Sequence, residues 1–329
     1  MVRRLRAAAS TDGGAGPWRR GRVTAVAALL TAALLICHRV VPNTALRLGS
    51  LLESFLPWLA LPMAALLGVA LLRRSALALL ALLLPVAGWT YVYGGLLLPE
   101  PEAAPGDLVV VQHNVSDENA DPAGTARVLA AADPDLIALE ELTPPALEVY
   151  RRALAPEFPH HAVRGTVGLW SRHPLTGVRA VDIAPEGITR PWSRGLRSLV
   201  GTPHGRFAVY VAHLPSVRVG PGGLASAWRD ESARLLGDAL AAEEERAVVL
   251  LGDLNGTVDD RGLSPLTSAL NVPERGFAFS FPASFPVARI DQVMARAATV
   301  PHIGTLPSTG SDHLPVVAHI RPAPGTTAP

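Results

Sequence analysis

Lysine is absent from the 329-residue sequence, and cysteine occurs once, at Cys37. A single cysteine excludes an intrachain disulfide framework. Charged residues make up only 17% of the chain, whereas soluble domains carry about 25%. Hydrophobic residues make up 49%, although aromatic residues contribute only 5%. This composition excludes a disordered chain and indicates that part of the protein lies outside water.

Charge is distributed unequally along the chain. Residues 1–98 carry ten arginines against two acidic residues, a net charge of +8. Residues 99–329 carry nineteen arginines against 26 acidic residues, a net charge of −7. The pI of about 8.1 does not support a polybasic nucleic-acid module. We therefore expect two physically different parts that join near residue 100.

Three long apolar runs fill most of the basic part, at residues 23–41, 55–72 and 75–98. A membrane-spanning helix needs about 20 apolar residues to cross about 30 Å of hydrocarbon, and each run meets that length. Buried core helices and a cleaved signal peptide are the alternatives. Three successive runs would leave buried helices without a polar face, and no A-x-A-like cleavage site follows the first run. The runs therefore predict three transmembrane helices.

The placement of arginine predicts how the chain crosses the membrane. Six arginines precede the first run, and Arg73 and Arg74 separate the second run from the third. The loop between the first two runs has only Arg47 against Glu53, apart from the boundary residue Arg39. Basic residues stay cytoplasmic. We expect a cell-membrane protein with a cytoplasmic amino terminus, an extracellular region after residue 98, and the lipid bilayer as a partner.

The predicted regions follow from these patterns. They are a basic tail at 1–22, a membrane anchor at 23–98, a Pro-rich linker at 99–106, an α/β domain at 107–321 and a disordered tail at 322–329. Eight linker residues reach at most about 28 Å when extended. The linker therefore holds the α/β domain near the outer leaflet.

Short apolar strands alternate with helical segments after residue 107. Strands are predicted at 108–111, 136–142, 168–170, 196–200, 207–212, 247–251, 290–294 and 316–320, and helices at 125–132 and 224–245. Polar residues with donor or ligand chemistry lie at or next to the ends of the strands: Asn114, Glu141, His213, Asp253, Asn255, Asp291, Asp312 and His313. Loops after strands are where α/β folds build their sites.

These side chains fit phosphate chemistry as a group. Carboxylate and amide oxygens suit Mg²⁺, and Asn114, Glu141 and Asp312 supply them. An Asp with an Asn two residues later can hold a water and a phosphoryl oxygen, and a His oriented by a carboxylate can stabilise charge growing on phosphorus-bound oxygen. Taken singly, each residue also fits an ordinary turn or surface position. Neither a G-x-S-x-G motif nor a Cys/His set for zinc is present.

The order of the motifs is informative. Asn114 is followed by DLIALEE at 135–141, LWSRHP at 169–174, AHL at 212–214, GDLN at 252–255, RID at 289–291 and GSDHLP at 310–315. This order resembles the endonuclease/exonuclease/phosphatase superfamily over roughly residues 107–321. The resemblance implies an α/β fold of the DNase I-like type, a four-layer sandwich of two packed β-sheets with outer helices.

The resemblance also implies a metal site. Asn114 and Glu141 would hold the metal, with Glu140 standing where Gln is usual, and Asp312 would be a second metal-side carboxylate. Mg²⁺ is the implied cofactor and Mn²⁺ the alternative. Ser116 stands where some members carry a further metal-side Asp, which leaves a second metal ion open.

Catalytic roles follow from the same resemblance. Asp253 would orient or deprotonate the attacking water, Asn255 would hold a phosphoryl oxygen, and His213 would contact the phosphate. Asp291 would orient His313, which would stabilise the pentacovalent phosphorus. The implied activity is hydrolysis of a phosphoester or pyrophosphate bond.

Fold and motifs do not choose the substrate. The negative charge of the α/β domain and the absence of lysine disfavour nucleic acid as a partner, and a short tether favours a substrate in the leaflet. A three-helix anchor with an external phosphatase-like domain resembles the VanJ-type teicoplanin-resistance membrane proteins. That resemblance implies hydrolysis of a lipid-linked cell-wall phosphate, with undecaprenyl pyrophosphate as the leading candidate, and glycopeptide resistance.

Two alternatives stay open at this point. An extracellular membrane-tethered nuclease or phosphodiesterase would need a basic stripe, for which the candidates are Arg190, Arg194, Arg197 and Arg218. A non-catalytic binder of lipid or cell-wall precursor would have no need of Asp253. Loops at 185–195 and 215–228, which contain Trp192 and Trp228, either dip toward the leaflet or are ordinary surface loops.

Overall fold

A computed structural model describes residues 21–323 except Ala45, Arg190 and His204. Most of the predicted basic tail at 1–22 and of the predicted disordered tail at 322–329 lies outside the described residues. The described chain forms two compact units. The first contains the residues up to His38 and Pro57–Val92, and the second contains Arg39–Leu56 and the residues from Tyr93 onward. The loop between the first two apolar runs thus packs with the α/β domain, which differs from the sequence-based boundary.

Within the part of the chain that the structure describes, four α-helices precede residue 98: α1 (Arg22–Ile36), α2 (Leu48–Ser54), α3 (Ala60–Leu72) and α4 (Ala76–Tyr93). Helix α2 belongs to the second unit. In the first unit, Ala28, Ala70, Ala78 and Leu82 form a small buried core, and small residues of this kind let apolar helices pack closely. The same helices leave many large apolar side chains exposed, among them Val23, Leu30, Leu61, Leu72, Leu83 and Tyr91.

Within the described residues, one helical stretch, Ala76–Leu97, is long and apolar enough to cross a membrane. A second span requires Leu48–Ser54 and Leu56–Leu72 to count together although the chain bends by 75° between them. Helix α1 has 15 residues and ends at Ile36, before the apolar run ends. The prediction of three transmembrane helices is therefore not confirmed by helix length. Helix α4 continues through Pro85.

Thirteen strands follow in the second unit: β1 (Leu108–Asn114), β2 (Leu136–Glu140), β3 (His160–Arg164), β4 (Val167–Ser171), β5 (Leu175–Ala180), β6 (Gly195–Thr202), β7 (Gly205–Ala212), β8 (Val219–Gly220), β9 (Gly223–Leu224), β10 (Val248–Asp253), β11 (Asp291–Arg296), β12 (Ala298–Thr305) and β13 (Val316–Pro322). One sheet has the order β12-β13-β1-β2-β4-β3, and the other has the order β11-β10-β7-β6-β5. Strands β8 and β9 form a separate hairpin.

The remaining helices are α5 (Pro122–Ala130), α6 (Pro144–Leu154), α7 (Ala227–Ala241) and α8 (Ser264–Thr267). Apolar side chains from both sheets, such as Leu169 and Val249, form the core between them. A second cluster, with Leu129 and Tyr150, packs α5 and α6 on the first sheet, and a third, with Leu236, packs α7 on the second sheet. The second unit is thus a four-layer sandwich of two packed sheets with outer helices, as predicted.

Candidate functional site

The sheet topology brings the predicted strand ends to one edge. Strands β1 and β2 are parallel, with Asn114 opposite Glu140, and β7 and β10 are parallel in the other sheet. Strand β11 runs antiparallel to β10 and begins at Asp291, directly opposite Asp253. Strand β13 runs antiparallel to β1, so the loop that precedes it returns to the carboxyl end of β1. This loop carries His313.

A cavity of about 390 Å³ opens at this edge. Six of the predicted site residues line it: Asn114, Glu141, Asp253, Asn255, Asp312 and His313. The other two, His213 and Asp291, are buried and contact the lining residues. The structure therefore brings together all eight residues that the sequence analysis selected.

Asp253 lies at the centre of a hydrogen-bond network. Its Oδ2 accepts from the side-chain amides of Asn114 at 3.1 Å and Asn255 at 3.2 Å, and its Oδ1 accepts from the backbone N–H of Asn255 at 2.9 Å. Burial, opposed by His313 and assisted by Asp291, raises the pKa of Asp253 to about 7. A carboxyl group that titrates near neutrality is suited to take a proton from water.

Asn255 is positioned by its own backbone. Its φ of 48° turns the chain after β10 into the left-handed region, which Asn adopts more readily than most residues. Its side-chain amide donates to the carbonyl oxygen of Leu214 at 3.0 Å as well as to Asp253. The GDLN motif is thus a turn, but one whose side chains are fixed inside the cavity.

Asp291 and His313 form a buried pair, with 2.8 Å between His313 Nδ1 and Asp291 Oδ2. Asp291 also accepts hydrogen bonds from Ser280 Oγ at 2.6 Å and Gln112 Nε2 at 3.1 Å. Burial lowers the pKa of His313, but the carboxylates of Asp291 and Asp253 outweigh it and raise this pKa to about 10. The imidazole is therefore cationic at neutral pH, and its Nε2 faces Asp253 at 3.9 Å.

The neutral histidine of the site is His213. Burial, with Arg194 and His313, lowers its pKa to about 3. Its Nε2 lies 3.7 Å from Glu141 Oε1 and 3.6 Å from Asp253 Oδ2. A neutral imidazole in this position can donate a hydrogen bond to a phosphate oxygen without adding charge.

The predicted metal ligands fit a hard cation. Glu141 follows β2 with a φ of 59°, a strained conformation of the kind that persists at functional sites. Its side chain is 29% exposed, and Asp312 is exposed at the same cavity. These two carboxylates and the amide oxygen of Asn114 are the donors that Mg²⁺ prefers, and the open cavity leaves room for the waters that this ion keeps.

Asp253, Asp291 and His313 are a second group that could hold a metal ion by spacing, since their ligand atoms lie within 4.8 Å of one another. A histidine must be deprotonated to bind a metal, whereas its carboxylate neighbours keep the pKa of His313 at about 10. A proton and a metal ion therefore compete for His313, and Glu141 with Asp312 offers a second set of carboxylate donors in the same cavity.

Sequence reasoning gave no structural role to three residues behind the site. Gln112, two residues before Asn114 on β1, donates to Glu140 Oε2 at 2.8 Å and to Asp291. Burial, Asp291 and Asp253 raise the pKa of Glu140 well above its usual range. These surroundings favour the uncharged carboxyl, which is closer to the Gln that the resemblance implies at its position. Ser280 had no local signal, because it reaches Asp291 only through the fold.

The two tryptophan loops line a neighbouring cavity of about 520 Å³. Its lining includes Trp192, Trp228, Arg194 and Arg218, and the guanidinium of Arg194 lies 4.2 Å from the ring centre of Trp192. Arg218 also lines the first cavity. Whether these loops touch lipid stays a prediction.

Comparisons with known proteins agree with this geometry. The family model described as "Endonuclease/Exonuclease/phosphatase family" matches residues 111–313. A search of the curated proteins found no match.

Solved structures share the fold of the second unit. An endonuclease/exonuclease/phosphatase from Beutenbergia cavernae is 23% identical, with a TM-score of 0.54 over 66% of this chain and 72% of its own. Humanized TDP2 of D. rerio is 18% identical, with a TM-score of 0.54 over 65% of this chain and 99% of its own. Beta toxin of Staphylococcus aureus is 14% identical, with a TM-score of 0.52 over 64% and 99%. At these identities the likeness shows the fold alone.

Proposed function

Because the chain belongs to the endonuclease/exonuclease/phosphatase family, whose members hydrolyse phosphoester bonds, we propose that it is a membrane-anchored, metal-dependent hydrolase of a lipid-linked pyrophosphate at the outer face of the membrane. Undecaprenyl pyrophosphate is the leading candidate substrate. The observation that carries the proposal is the single cavity in which Asp253, the cationic His313 and the open carboxylate of Glu141 converge.

The geometry supports hydrolysis by direct attack of water on phosphorus. The oxygen of the water molecule forms a bond to phosphorus while Asp253 takes a proton from that water. The bond between this phosphorus and the bridging oxygen of the pyrophosphate breaks, and the other phosphate leaves with the bridging oxygen. His313 stabilises the negative charge that grows on the phosphoryl oxygens, while Asn255 and His213 hold those oxygens by hydrogen bonds. Asp291 keeps His313 protonated and oriented.

The family generally uses a divalent metal ion, and we propose Mg²⁺, with Mn²⁺ as the alternative. Glu141, Asp312 and Asn114 would hold it. The ion would neutralise negative charge on the phosphate oxygens of the substrate.

Membrane anchoring is supported by the surface of the first unit. Its helices expose apolar side chains in all three segments, for example Leu30 at 61%, Leu72 at 86% and Leu83 at 62%. A soluble protein would hide such a surface. With the arginine distribution, this surface supports a cytoplasmic amino terminus and an extracellular catalytic unit.

Two of the four arginines named for a basic stripe, Arg194 and Arg218, line the cavities at the site, where they suit the phosphates of a lipid headgroup as well as those of a nucleic acid. Arg197 was a candidate for a basic stripe, but it is only 9% exposed and donates to both oxygens of Glu243 at 2.8 and 2.9 Å. It is therefore not free to bind phosphates of a polynucleotide, and Arg190 lies outside the described residues. Removal of the lipid pyrophosphate, as the VanJ-type resemblance suggests, would give glycopeptide resistance.

Phosphate release tests the proposal directly. The full chain is purified in detergent, stripped of metal with EDTA and supplied with Mg²⁺, and undecaprenyl pyrophosphate is compared with single- and double-stranded DNA. We expect metal-dependent release of phosphate from the lipid that Asp253→Asn abolishes. Asp238→Asn is the matched control, because Asp238 is an exposed partner of Arg234 on α7. Cleavage of DNA without release from the lipid would favour the nuclease, and no cleavage of either would favour a binder.

A further inference from the structure

A segment outside the family match forms part of the catalytic unit. Residues 39–56 connect the first two apolar stretches of the sequence, yet they pack with the α/β sandwich rather than with the apolar helices around them. The segment contains α2, and its contacts are specific. The contacts of this segment with the α/β sandwich place it at the site.

The main anchor is an ion pair between Glu53 and Arg261. The Glu53 side chain is fully buried and accepts from Arg261 Nε at 2.8 Å, Nη2 at 2.8 Å and the backbone N–H at 2.9 Å. Arg261 Nη1 also donates to the carbonyl oxygen of Val41 at 3.0 Å. Gly49 lets the guanidinium approach α2, since a Cβ at this position would lie 2.6 Å from Arg261 Cζ.

Two further contacts hold the start of the segment. Arg47 pairs with Asp230 at 2.6 Å, and the carbonyl oxygen of Leu46 accepts from the backbone N–H of Leu224 at 3.0 Å. Gly223 is required beside this bond, because a Cβ there would lie 2.1 Å from the oxygen of Leu46. The segment is thus fixed at Leu46 and Arg47 against the β8–β9 hairpin and α7, and at Val41 and Glu53 against Arg261.

This anchoring places an apolar side chain in the catalytic cavity. Ser54 and Phe55, at the end of α2, line the same cavity as Asp253. Val219 and Leu224 of the β8–β9 hairpin line it as well. Phe55 is 41% exposed and Val219 is 70% exposed, so these surfaces are accessible to a ligand. The cavity therefore has a polar wall that suits phosphate and an apolar wall that does not.

We propose that Phe55, with Val219 and Leu224, is the specificity wall of the site and binds the hydrocarbon that is attached to the substrate phosphate. The inference rests on the proposed function for the reaction, and it adds the residues that bind the aliphatic chain of the substrate. The docked segment makes the site complete, since the α/β sandwich alone would lack Phe55.

Binding of alkylphosphonates tests the wall without turnover, because their carbon–phosphorus bond is not hydrolysed. Dissociation constants of ethyl-, butyl- and hexylphosphonate are measured by calorimetry on the full chain in detergent with Mg²⁺. A fully buried methylene contributes about a fourfold gain in affinity. For a wall that is partly exposed, we expect hexylphosphonate to bind at least about tenfold more tightly than ethylphosphonate.

Phe55→Ala should reduce the preference for hexylphosphonate over ethylphosphonate to about threefold or less. The affinity for ethylphosphonate should stay unchanged, and this result would show that the phosphate site is intact. Phe55→Leu should restore most of the preference. Phe285→Ala is the matched control, since Phe285 is 73% exposed and lies outside the cavity lining, and it should behave like the unaltered chain. A chain-length preference that Phe55→Ala leaves intact, or its absence from the unaltered chain, overturns the inference.

The result is separable from that of the proposed function. Failure to release phosphate from any lipid pyrophosphate would count against the hydrolase, whereas the alkyl preference is read from binding alone. Conversely, a working pyrophosphatase with no alkyl preference would overturn only the role of Phe55.

Discussion

Removing the Arg261 guanidinium should release the segment at residues 39–56 from the catalytic unit. Arg261→Ala deletes the hydrogen bonds from Nε and Nη2 to Glu53 and from Nη1 to Val41. It leaves the fully buried carboxylate of Glu53 without its cation. Breaking one side of a buried pair costs about 3–5 kcal/mol. Because the Arg261 side chain is 23% exposed, we expect the lower end, about 3 kcal/mol.

A loss of about 3 kcal/mol corresponds to about a 100-fold larger population of the undocked segment. Tryptic cleavage measures this population, because trypsin cuts after arginine and Arg47 lies within the segment, paired with Asp230. The chain has no lysine, so arginines are the sites at which trypsin cuts. When docking and undocking are fast relative to cleavage, the rate of cutting follows the open population. We therefore expect cleavage after Arg47 to become about 100-fold faster in Arg261→Ala, as followed by mass spectrometry of the fragments.

Two further variants test whether the Glu53–Arg261 pair anchors the segment at 39–56. Arg275→Ala is the matched control, since this half-buried arginine donates only to the carbonyl oxygen of Pro99 among the hydrogen bonds of the described chain, and it should leave the rate unchanged. Arg261→Met combined with Glu53→Leu replaces both charges by apolar groups, which is often neutral or stabilising for a buried pair. The double variant should be cut at nearly the original rate. Wild-type cleavage kinetics in Arg261→Ala would refute the assignment of this pair as the anchor.

Three other outcomes follow from the site and the core. Glu141→Gln should raise the Mg²⁺ concentration needed for half-maximal phosphate release by at least about tenfold. Glu140→Gln should change activity less than about twofold, because the buried surroundings of Glu140 already favour its uncharged form; a metal titration of both variants compares them. Arg197 holds the pKa of Glu243 at about 2 although burial opposes it. This pair therefore stabilises the fold above pH 4.5 and loses its effect as pH falls toward 2. Glu243→Gln should cost on the order of 3 kcal/mol at pH 7 and progressively less below pH 4, measured by urea unfolding; a pH-independent difference would contradict this reasoning.

The local chemistry of the site was readable from the sequence. Asn114, Asp253 and Asp291 end or begin strands, and parallel neighbours place such positions at one edge of a sheet. The short apolar strands that lead to them are fully buried, so their pattern is strong. The four-layer sandwich was implied by the order of the motifs and its resemblance to the endonuclease/exonuclease/phosphatase family, and the structure has this fold. The structure also places the eight site residues together, whereas their individual roles stay predictions.

Elements with mixed patterns were missed. Strand β5 is half-buried or exposed along its whole length, so it shows no apolar run. Helix α6 begins with two prolines, which resemble a loop in the sequence. The helix predicted from residue 224 begins at Ala227, because Leu224 pairs with Val219 in the β8–β9 hairpin. Tertiary pairing decided this boundary over local propensity.

Long-range partners were not readable at all. Glu53 counted in the sequence only as a charge in a loop, whereas the fold gives it a partner 208 residues away. Arg197 similarly suggested a surface stripe, but Glu243 sequesters it. The helix lengths of the first unit also differ from the apolar runs, since the chain bends at Phe55 and α1 stops at Ile36. A run of apolar residues fixes composition, whereas caps and bends decide where a helix ends.

The covalent path of the chain has a practical consequence. The polypeptide passes between the two compact units at three places, after His38, Leu56 and Val92. A protease that cuts the linker at 99–106 would therefore not release the α/β domain from the upstream chain, since the ion pair between Glu53 and Arg261 would still hold the two fragments together. A truncated protein that starts at residue 107 would lack Phe55, the side chain proposed to bind the hydrocarbon of the substrate. Preparations for biochemistry should therefore keep the upstream stretch, even when solubility argues for removing it.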